Sequence, residues 1–282
     1  MAVTLALAFA TKRMTYEKLL VRVLGSCETM ANASVVCTDK TGTLTQNVMT
    51  VVAGSVGIRA KFVRQLEDNK ARTNADEQPA HSGTRKHLDD FSLDQAELNT
   101  ILSPQLRDLF NAAISVNSTA FQDTDPETGE VIFIGSKTET ALLKFAKELG
   151  WADFQTTRDS AQVVQMIPFS SERKAMGVVV KISDRKWRIY LKGASEILSK
   201  KCTQYVVVHR DGGGPAEGDV ETFAIDELAQ DNISRTIIFY ANQTLRTIAL
   251  CYRDFDVWPP RDIEHGDQNE VSSSNFSCSS WL

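Results

Sequence analysis

The stretch QVVQMIPFSSERKAMGVVVKISDRKWRIYLKG, from Gln162 to Gly193, contains three β-runs that are separated by short polar turns. Val, Ile and aromatic residues dominate each run, and these residue types fit a pleated, half-buried strand. Consecutive strands with short connections most simply pair with their sequence neighbours. The stretch therefore predicts an antiparallel meander, and the neighbouring segments are predicted to build on it.

Helices are predicted on both sides of this meander. Ser103-Pro104 combines an N-cap with a proline at the first helical position and precedes QLRDLFNAAISVN. Ser136 to Glu139 has the spacing of a capping box before TALLKFAKEL, and Gly150 is the expected stop. A further helix around 226–244 precedes the β-run TIALCYRDF. The fold class predicted for residues 57–258 is α+β, an antiparallel sheet with flanking helices.

The remaining segments are predicted to be peripheral. Residues 2–24 have the pattern of a helix, 34–38 of a short buried strand and 48–54 of another β-run. Residues 64–92 are charged and contain few large apolar side chains, which indicates a flexible linker or insertion. Residues 259–282 have neither a helical nor a β period, so an unstructured tail is expected there.

Composition excludes several classes of protein. The 282 residues are 42% hydrophobic and 24% charged, as in soluble globular domains. A net charge of −5 argues against nucleic acid or an anionic membrane surface as the main partner. The five cysteines contain no C-x-x-C pair and the four histidines are scattered, so neither a disulfide scaffold nor a zinc site is indicated. This usage favours a reducing, cytosolic environment.

The amino-terminal segment AVTLALAFA is apolar but short. Spanning a bilayer takes roughly 20 apolar residues. A secretory signal peptide would need a basic region before the apolar stretch, and none is present. The third interpretation is the cytoplasmic end of a longer membrane helix, since Lys12, Arg13, Lys18 and Arg22 follow it directly.

The stretch SVVCTDKTGTLTQN, from Ser34 to Asn47, places a carboxylate directly after an apolar run. A polar turn would explain Asp39 and Gly42 alone, but the seven residues DKTGTLT are far more specific. DKTGTLT is the signature of the P-type ATPases, and the chain resembles that family over residues 1 to about 260. A carboxylate at the end of a strand can act as a nucleophile on a γ-phosphate.

The resemblance implies catalytic roles for Asp39, Lys40 and Thr41. Asp39 would accept the phosphoryl group, while Lys40 and the threonine hydroxyls would offset and orient its charge. ATP and Mg²⁺ are the implied cofactors, with Asp39 and Thr41 as the candidate metal ligands. Related haloacid-dehalogenase phosphatases have a second Asp where this chain has Thr41. That departure favours a persistent phosphoenzyme, and thus a pump over a phosphatase.

The same resemblance divides the chain into segments. Residues 1–33 resemble the end of the family's fourth membrane helix and the stalk. Residues 34–56 resemble part of an α/β haloacid-dehalogenase-like phosphorylation domain, incomplete here, and 57–258 resemble the nucleotide-binding domain. The stretches LALAFATKRM, CETMANA and TQNVMTVV are most similar to plasma-membrane-type calcium pumps, particularly the fungal vacuolar branch. Calcium, a vacuolar or plasma membrane, and a cytoplasmic place for this portion are implied on that ground alone.

Four short matches, KTETALL, PFSSERK, KGASE and LRTIA, resemble the family's nucleotide-binding domain. They imply that Phe169 stacks on adenine, Lys192 closes the base pocket and Arg246 meets the phosphates. Each residue has a plainer alternative: a helix cap for Glu139, core packing for Phe169 and solvated charges for the basic residues. The family often has a basic residue where Ser171 stands, which weakens the phosphate contacts expected there. The full set of implied ATP contacts is Glu139, Phe169, Arg173, Lys174, Lys192, Gly193 and Arg246.

Two other functions stay open at this stage, a non-catalytic nucleotide-binding module and a phosphatase-like hydrolase. The family's hinge, its second magnesium carboxylate and its later membrane helices are not found in the sequence, which suggests an internal slice of a pump. We therefore expect this polypeptide to bind ATP weakly, without turning it over or transporting an ion. Membrane association would come only through helices that this chain lacks.

Overall fold

The structure, a computed structural model, describes residues 2–73, 90–126, 129, 131–212, 220–259 and 280–281. The chain forms two compact units, Met1–Val48 and Met49–Leu282. No helix in the described ranges is both long enough and apolar enough to cross a membrane.

The first unit contains two helices, α1 (Ala2–Tyr16) and α2 (Ser26–Ala31). The helix predicted to reach residue 24 therefore ends earlier, at Tyr16. Lys18 adopts a left-handed backbone with φ of 63°, and the N–H of Leu19 bonds to the carbonyl of Met14 at 2.8 Å. This arrangement is a helix C-terminus, in which a left-handed residue satisfies the last carbonyls.

The prediction of a buried strand at 34–38 is wrong. Val35 is 75% exposed and Val36 is 85% exposed, and no strand lies among residues 2–48. A strand requires a neighbour that pairs with its backbone N–H and C=O groups. An apolar run supplies β propensity but no partner, so these residues remain outside any strand and are exposed.

The second unit contains most of the secondary structure. Its strands are β1 (Ala53–Val56), β2 (Ala60–Val63), β3 (Phe91–Asp94), β4 (Phe121–Thr124), β5 (Val131–Ile134), β6 (Gln162–Ser170), β7 (Ala175–Ser183), β8 (Lys186–Ala194), β9 (Gln204–Val206), β10 (Thr222–Ala224), β11 (Ile248–Phe255) and β12 (Ser280–Trp281). Its α-helices are α3 (Leu66–Asn69), α4 (Leu98–Ile101), α5 (Pro104–Ser115), α6 (Lys137–Glu148), α7 (Phe154–Ser160), α8 (Ser195–Leu198) and α9 (Glu227–Asn242), and short 3-10 turns are Lys70–Arg72, Gln95–Glu97 and Ser199–Lys201.

A seven-stranded sheet in the order β10-β9-β12-β11-β8-β7-β6 forms the centre of this unit. Strands β6, β7, β8 and β11 pair antiparallel, which confirms the predicted meander and the α+β class. Parallel pairs occur at β9–β12 and, in the separate three-stranded sheet β1-β2-β3, at β2–β3. The third sheet is the hairpin β4–β5.

Both faces of the large sheet are buried at its central strands β7 and β8. Val178 and Tyr190 belong to a core cluster with residues of α5 and α6, whereas Val179 and Ile189 belong to a second cluster with residues of α9. Successive side chains of a strand point to opposite faces, so the apolar run of β7 supplies both clusters. This explains why the run is almost continuously apolar rather than alternating.

Several predicted boundaries differ from the structure. The β-run expected at 48–54 becomes β1 at residues 53–56, and α3, a 3-10 turn and β3 occupy parts of the predicted linker 64–92. Residues 74–89 of that linker lie outside the described residues, as do 260–279 of the predicted tail. Ser280–Trp281, expected in the tail to be unstructured, form β12 between β9 and β11.

The capping box predicted at the start of α6 is also wrong. The Ser136 side chain makes no capping hydrogen bond, although its carbonyl accepts from Thr140 N–H at 2.9 Å. The Glu139 carboxylate bonds elsewhere, to residues of a loop and a strand. The Glu139 carboxylate therefore bonds to residues that are distant in sequence, not to the backbone N–H of Ser136 as a capping box requires.

Candidate functional site

The antiparallel register brings the predicted ATP contacts of the second unit to one end of the large sheet. β6 ends there, β7 begins, β8 ends and β11 begins. Ser170 is paired with Ala175, Ala175 with Gly193, and Ala194 with Ile248. Segments that are far apart in sequence thus meet at the same end of the large sheet.

Glu139 and Lys192 form a buried ion pair at this end. The Lys192 Nζ lies 2.8 Å from the Glu139 Oε1, and the two residues are 4% and 3% exposed. Lys192 is supplied by β8 and Glu139 by the first turn of α6, where a carboxylate also interacts favourably with the helix dipole. The pair ties the sheet to the helix layer above it.

Neighbouring polar groups complete the coordination of this pair. The backbone N–H and the hydroxyl of Thr119 donate to the two Glu139 oxygens at 3.2 and 2.8 Å. The Lys192 ammonium also donates to the carbonyl of Asn117. Buried charges are tolerated only when they are paired and hydrogen-bonded, and both conditions are met.

The electrostatics of the pair have opposing causes. Burial acts to raise the pKa of Glu139, but the hydrogen bond and charge of Lys192, together with the hydrogen bonds from Thr119, outweigh it and hold that pKa below its usual value. Burial lowers the pKa of Lys192, the Glu139 carboxylate opposes this, and the Arg158 charge adds to the lowering. A carboxylate with a lowered pKa is ionised at neutral pH, and its negative charge stabilises the ammonium.

Asn117, Thr119 and Arg158 were missed by sequence reasoning. The segment SVNSTAF looks like an ordinary polar connection after α5, yet Asn117 and Ser118 have no exposed surface. Asn117 Nδ2 donates to the carbonyl of Tyr190 at 3.3 Å, while its Oδ1 has no protein partner. A polar stretch between two apolar elements is common in loops, and the sequence does not show that this one is buried.

Gly193 has a packing reason for its identity. A Cβ atom at this position would lie 2.4 Å from the Lys174 carbonyl oxygen and 2.8 Å from Ala175. Lys174 itself has a left-handed backbone with φ of 50°, and its carbonyl accepts from Ala194 N–H at 2.9 Å. The turn that contains Arg173 and Lys174 therefore lies directly against the end of β8.

The other predicted contacts lie on the surface at the same end. Phe169 is 61% exposed, next to a register shift in the β6–β7 pair. Arg173 is half-buried and donates to the carbonyl of Pro168 at 2.7 Å, and Arg246 is exposed just before β11. The alternative that Phe169 is a core residue is wrong, because a core aromatic would be covered.

A separate cavity of about 330 Å³ lies between α5, α6 and the β4–β5 hairpin. The aromatic side chains Phe133, Trp151 and Phe154 form part of its lining. None of the predicted ATP contacts belongs to its lining, so it is distinct from the surface described above.

Asp39, Lys40 and Thr41 lie in the first unit and are exposed. Lys40 N–H donates to Asp39 Oδ1 at 2.7 Å, and the Thr45 hydroxyl bonds to the Lys40 carbonyl at 3.3 Å. One carboxylate and one hydroxyl are oxygen donors that suit Mg²⁺, which keeps several waters and uses one or two carboxylates together with phosphate oxygens. The donor set therefore fits this metal, although no cluster of three acidic, His or Cys side chains lies among the described residues.

Comparison with known proteins identifies a family model and several relatives that match this chain. The family model for the P-type ATPase cytoplasmic domain N matches residues 105–278. The calcium-transporting ATPase 2 of Cryptococcus neoformans var. grubii is 62% identical over 271 residues, which cover 96% of this chain and 19% of that protein.

More distant relatives match over nearly the same length. The calcium-transporting ATPase 2 of Schizosaccharomyces pombe is 42% identical over 270 residues, covering 95% of this chain and 20% of that protein. The plasma membrane calcium-transporting ATPase 3 of Rattus norvegicus is 35% identical over 277 residues, covering 96% and 18%. The chain thus spans about a fifth of the length of these relatives.

Proposed function

Because the chain belongs to the P-type ATPases through their cytoplasmic domain N, we propose that its second unit binds ATP at the end of the large sheet. The observation that carries this proposal is that the buried Glu139–Lys192 pair and an exposed aromatic side chain, Phe169, lie at the same end of the large sheet. An exposed aromatic face can stack on a base, and buried charges nearby can orient it. Arg173, Lys174 and Arg246 would supply positive charge for the phosphates at the same end of the large sheet.

Adenine stacking on Phe169 should be measurable by substitution. Stacking is worth about 0.5–1.5 kcal/mol beyond area burial, so Phe169→Ala should weaken ATP binding by about tenfold. Isothermal titration of the chain with ATP and Mg²⁺ measures the change. Phe223→Ala is the matched control, because Phe223 is 45% exposed on β10, at the opposite edge of the same sheet. Equal affinities of wild type and Phe169→Ala would refute the assignment.

In the longer protein we propose that Asp39 accepts the γ-phosphoryl group. A carboxylate oxygen of Asp39 would attack the γ-phosphorus while the bond to the bridging oxygen breaks, and ADP would leave. Lys40 and the hydroxyl of Thr41 would offset the charge on the transferred group. Mg²⁺, when bound by Asp39 and Thr41, supplies electrostatic stabilisation of the phosphate oxygens.

Two measurements separate binding from phosphoryl transfer. Asp39→Asn should leave the affinity of this chain for ATP unchanged, because Asp39 is outside the unit that is proposed to bind the nucleotide. Incubation with γ-labelled ATP, followed by an acid quench, should leave no hydroxylamine-sensitive label on the 282-residue chain. Label that disappears in Asp39→Asn would show that this chain phosphorylates itself, contrary to our expectation. Phosphate release from small esters would instead favour the phosphatase.

We propose calcium as the ion that the longer protein transports, because the relatives are named as calcium-transporting ATPases. No residue of this chain is assigned to an ion pathway, and the membrane location belongs to the same proposal. Calcium uptake into vesicles that contain a longer protein with this sequence is the relevant measurement. Uptake of a different ion, with none of calcium, would overturn this part while leaving the nucleotide site intact.

A further inference from the structure

Two cysteine thiols contact each other inside the second unit. Cys202 lies just before β9 and Cys251 lies on β11, and their Sγ atoms are 3.6 Å apart. Cys202 is 7% exposed and Cys251 has no exposed surface. Both belong to the core cluster on the α9 side of the sheet, together with Ile189 and Ala249.

We propose that Cys202 and Cys251 form an oxidative modification site, at which a hydroperoxide converts the two thiols into an intramolecular disulfide. A disulfide has a sulfur–sulfur distance of roughly 2.05 Å, so each sulfur must move by less than about 1 Å. Side-chain rotations of that size need no exchange of strands. The inference does not depend on the proposed nucleotide site.

Because Cys202 is slightly exposed and Cys251 is not, the peroxide should react with Cys202 first. The Cys202 sulfur attacks a peroxide oxygen, the O–O bond breaks, and a sulfenic acid and one water or alcohol result. The Cys251 sulfur then attacks the Cys202 sulfur, the S–S bond forms and water leaves with the proton that Cys251 gives up. Overall each sulfur is oxidised by one electron, and the two electrons reduce the O–O bond of the peroxide. A dithiol reverses the reaction by thiol–disulfide exchange.

The other described thiols lack such a neighbour. The Cys27 sulfur contacts the thioether sulfur of Met14 at 3.8 Å, and Cys37 is exposed in the first unit. A thioether does not form a disulfide, so peroxide should oxidise Cys27 and Cys37 without joining either of them to the residue it contacts. Cys278 lies outside the described residues and must be removed from the experiment.

The test uses the full chain with Cys27→Ser, Cys37→Ser and Cys278→Ser, which leaves the two core thiols. After treatment with hydrogen peroxide and removal of excess oxidant, the chain is unfolded and its thiols are alkylated. We expect loss of both thiols together, a cross-linked peptide that joins Cys202 to Cys251, and recovery of both thiols with dithiothreitol. The urea midpoint before treatment, compared with that of wild type, verifies that the background is folded.

Two additional variants on this background test the order of attack. With Cys251→Ala, a sulfenic acid that dimedone traps should accumulate at Cys202, whereas with Cys202→Ala the Cys251 thiol should stay reduced. The proposal is overturned if both core thiols survive peroxide that oxidises Cys27 and Cys37 of the wild-type chain. It is also overturned if the disulfide joins two molecules, or if the sulfurs are oxidised singly beyond the sulfenic state.

Discussion

Removing the charge of Glu139 should cost a large part of the stability of the second unit. In Glu139→Gln the size of the side chain is kept, and its oxygen can still accept from Thr119. The Lys192 ammonium, however, would remain 4% exposed without an opposing charge, with only neutral acceptors such as the Asn117 carbonyl and the Gln oxygen beside it. Breaking a buried pair by removing one partner typically costs about 3–5 kcal/mol.

An upper bound follows from the titration of Lys192 itself. If the unpaired ammonium is too costly, Lys192 releases its proton, and at pH 7 this costs a lysine about 5 kcal/mol relative to its ordinary pKa near 10.4. That bound falls by about 1.4 kcal/mol for each unit of rising pH. The penalty of Glu139→Gln should therefore be smaller at pH 9, where the bound is about 2 kcal/mol.

Urea unfolding followed by tryptophan fluorescence measures this penalty. All four tryptophans, at positions 151, 187, 258 and 281, lie in the second unit, so the signal reports its unfolding. Glu148→Gln is the matched control on the same helix, because its side chain is 43% exposed and lies 3.5 Å from Arg64. An exposed pair is worth about 0–1 kcal/mol, so this control should change stability little.

A double variant isolates the interaction from other effects. Glu139→Gln combined with Lys192→Met replaces the unpaired ammonium with an apolar side chain and should recover about 2 kcal/mol or more of the loss. Two results would refute the reasoning: a cost of Glu139→Gln no larger than that of Glu148→Gln, or no recovery in the double variant.

Two further predictions concern the packing of the second unit. Burial, only partly opposed by a nearby carboxylate, lowers the pKa of Lys61 to about 8, and its Nζ donates to Ser55 and Thr236 at 3.3 and 3.1 Å. Between pH 8 and about 10.4, Lys61 is more often protonated in the unfolded chain than in the folded one, so the free energy of unfolding of wild type rises with pH. Lys61→Met should remove this contribution to the pH dependence. It should also raise the free energy of unfolding at pH 7 by about 1–4 kcal/mol, measured by urea unfolding. A pH slope identical in both proteins would contradict this. Gly57→Ala should lower the free energy of unfolding by about 3 kcal/mol or more, because φ is +60° and the new Cβ would lie 1.9 Å from a carbonyl oxygen of β9. Gly150→Ala is the control, because φ is +69° but no atom lies within 4 Å of the new Cβ. It should lower the free energy of unfolding by only about 1–2 kcal/mol. Similar melting temperatures for these two glycine variants would rule out the clash.

Local patterns were sufficient for many elements of the second unit. Ser103 caps α5 as expected, with its hydroxyl accepting from Leu106 N–H at 3.2 Å, and the three β-runs of residues 162–193 pair in sequence order. Such features depend on residues within a few positions of one another. Helix capping and the pairing of consecutive strands are therefore readable without knowledge of the rest of the chain.

The candidate site was only partly accessible from the sequence. Resemblance to a family named Glu139 and Lys192, but the local pattern assigned Glu139 to a helix cap. Their contact joins residues 53 positions apart, and it depends on the register of β8 against its neighbours and on the position of α6. Thr119 and Asn117 had no recognisable signal, because a polar loop residue looks the same whether it is solvated or buried.

The sequence by itself determined the periodicity of the meander, its caps and the family signature around Asp39, since these are properties of short segments. Tertiary structure decided which polar groups are buried and what each one contacts. Lys61 and Lys192 are both lysines on strands, yet one is held by two hydroxyls and the other by a carboxylate. The run at 34–38 has the composition of a strand and remains exposed. In each case the outcome depends on partners from distant segments, and their positions arise only when the whole unit has folded.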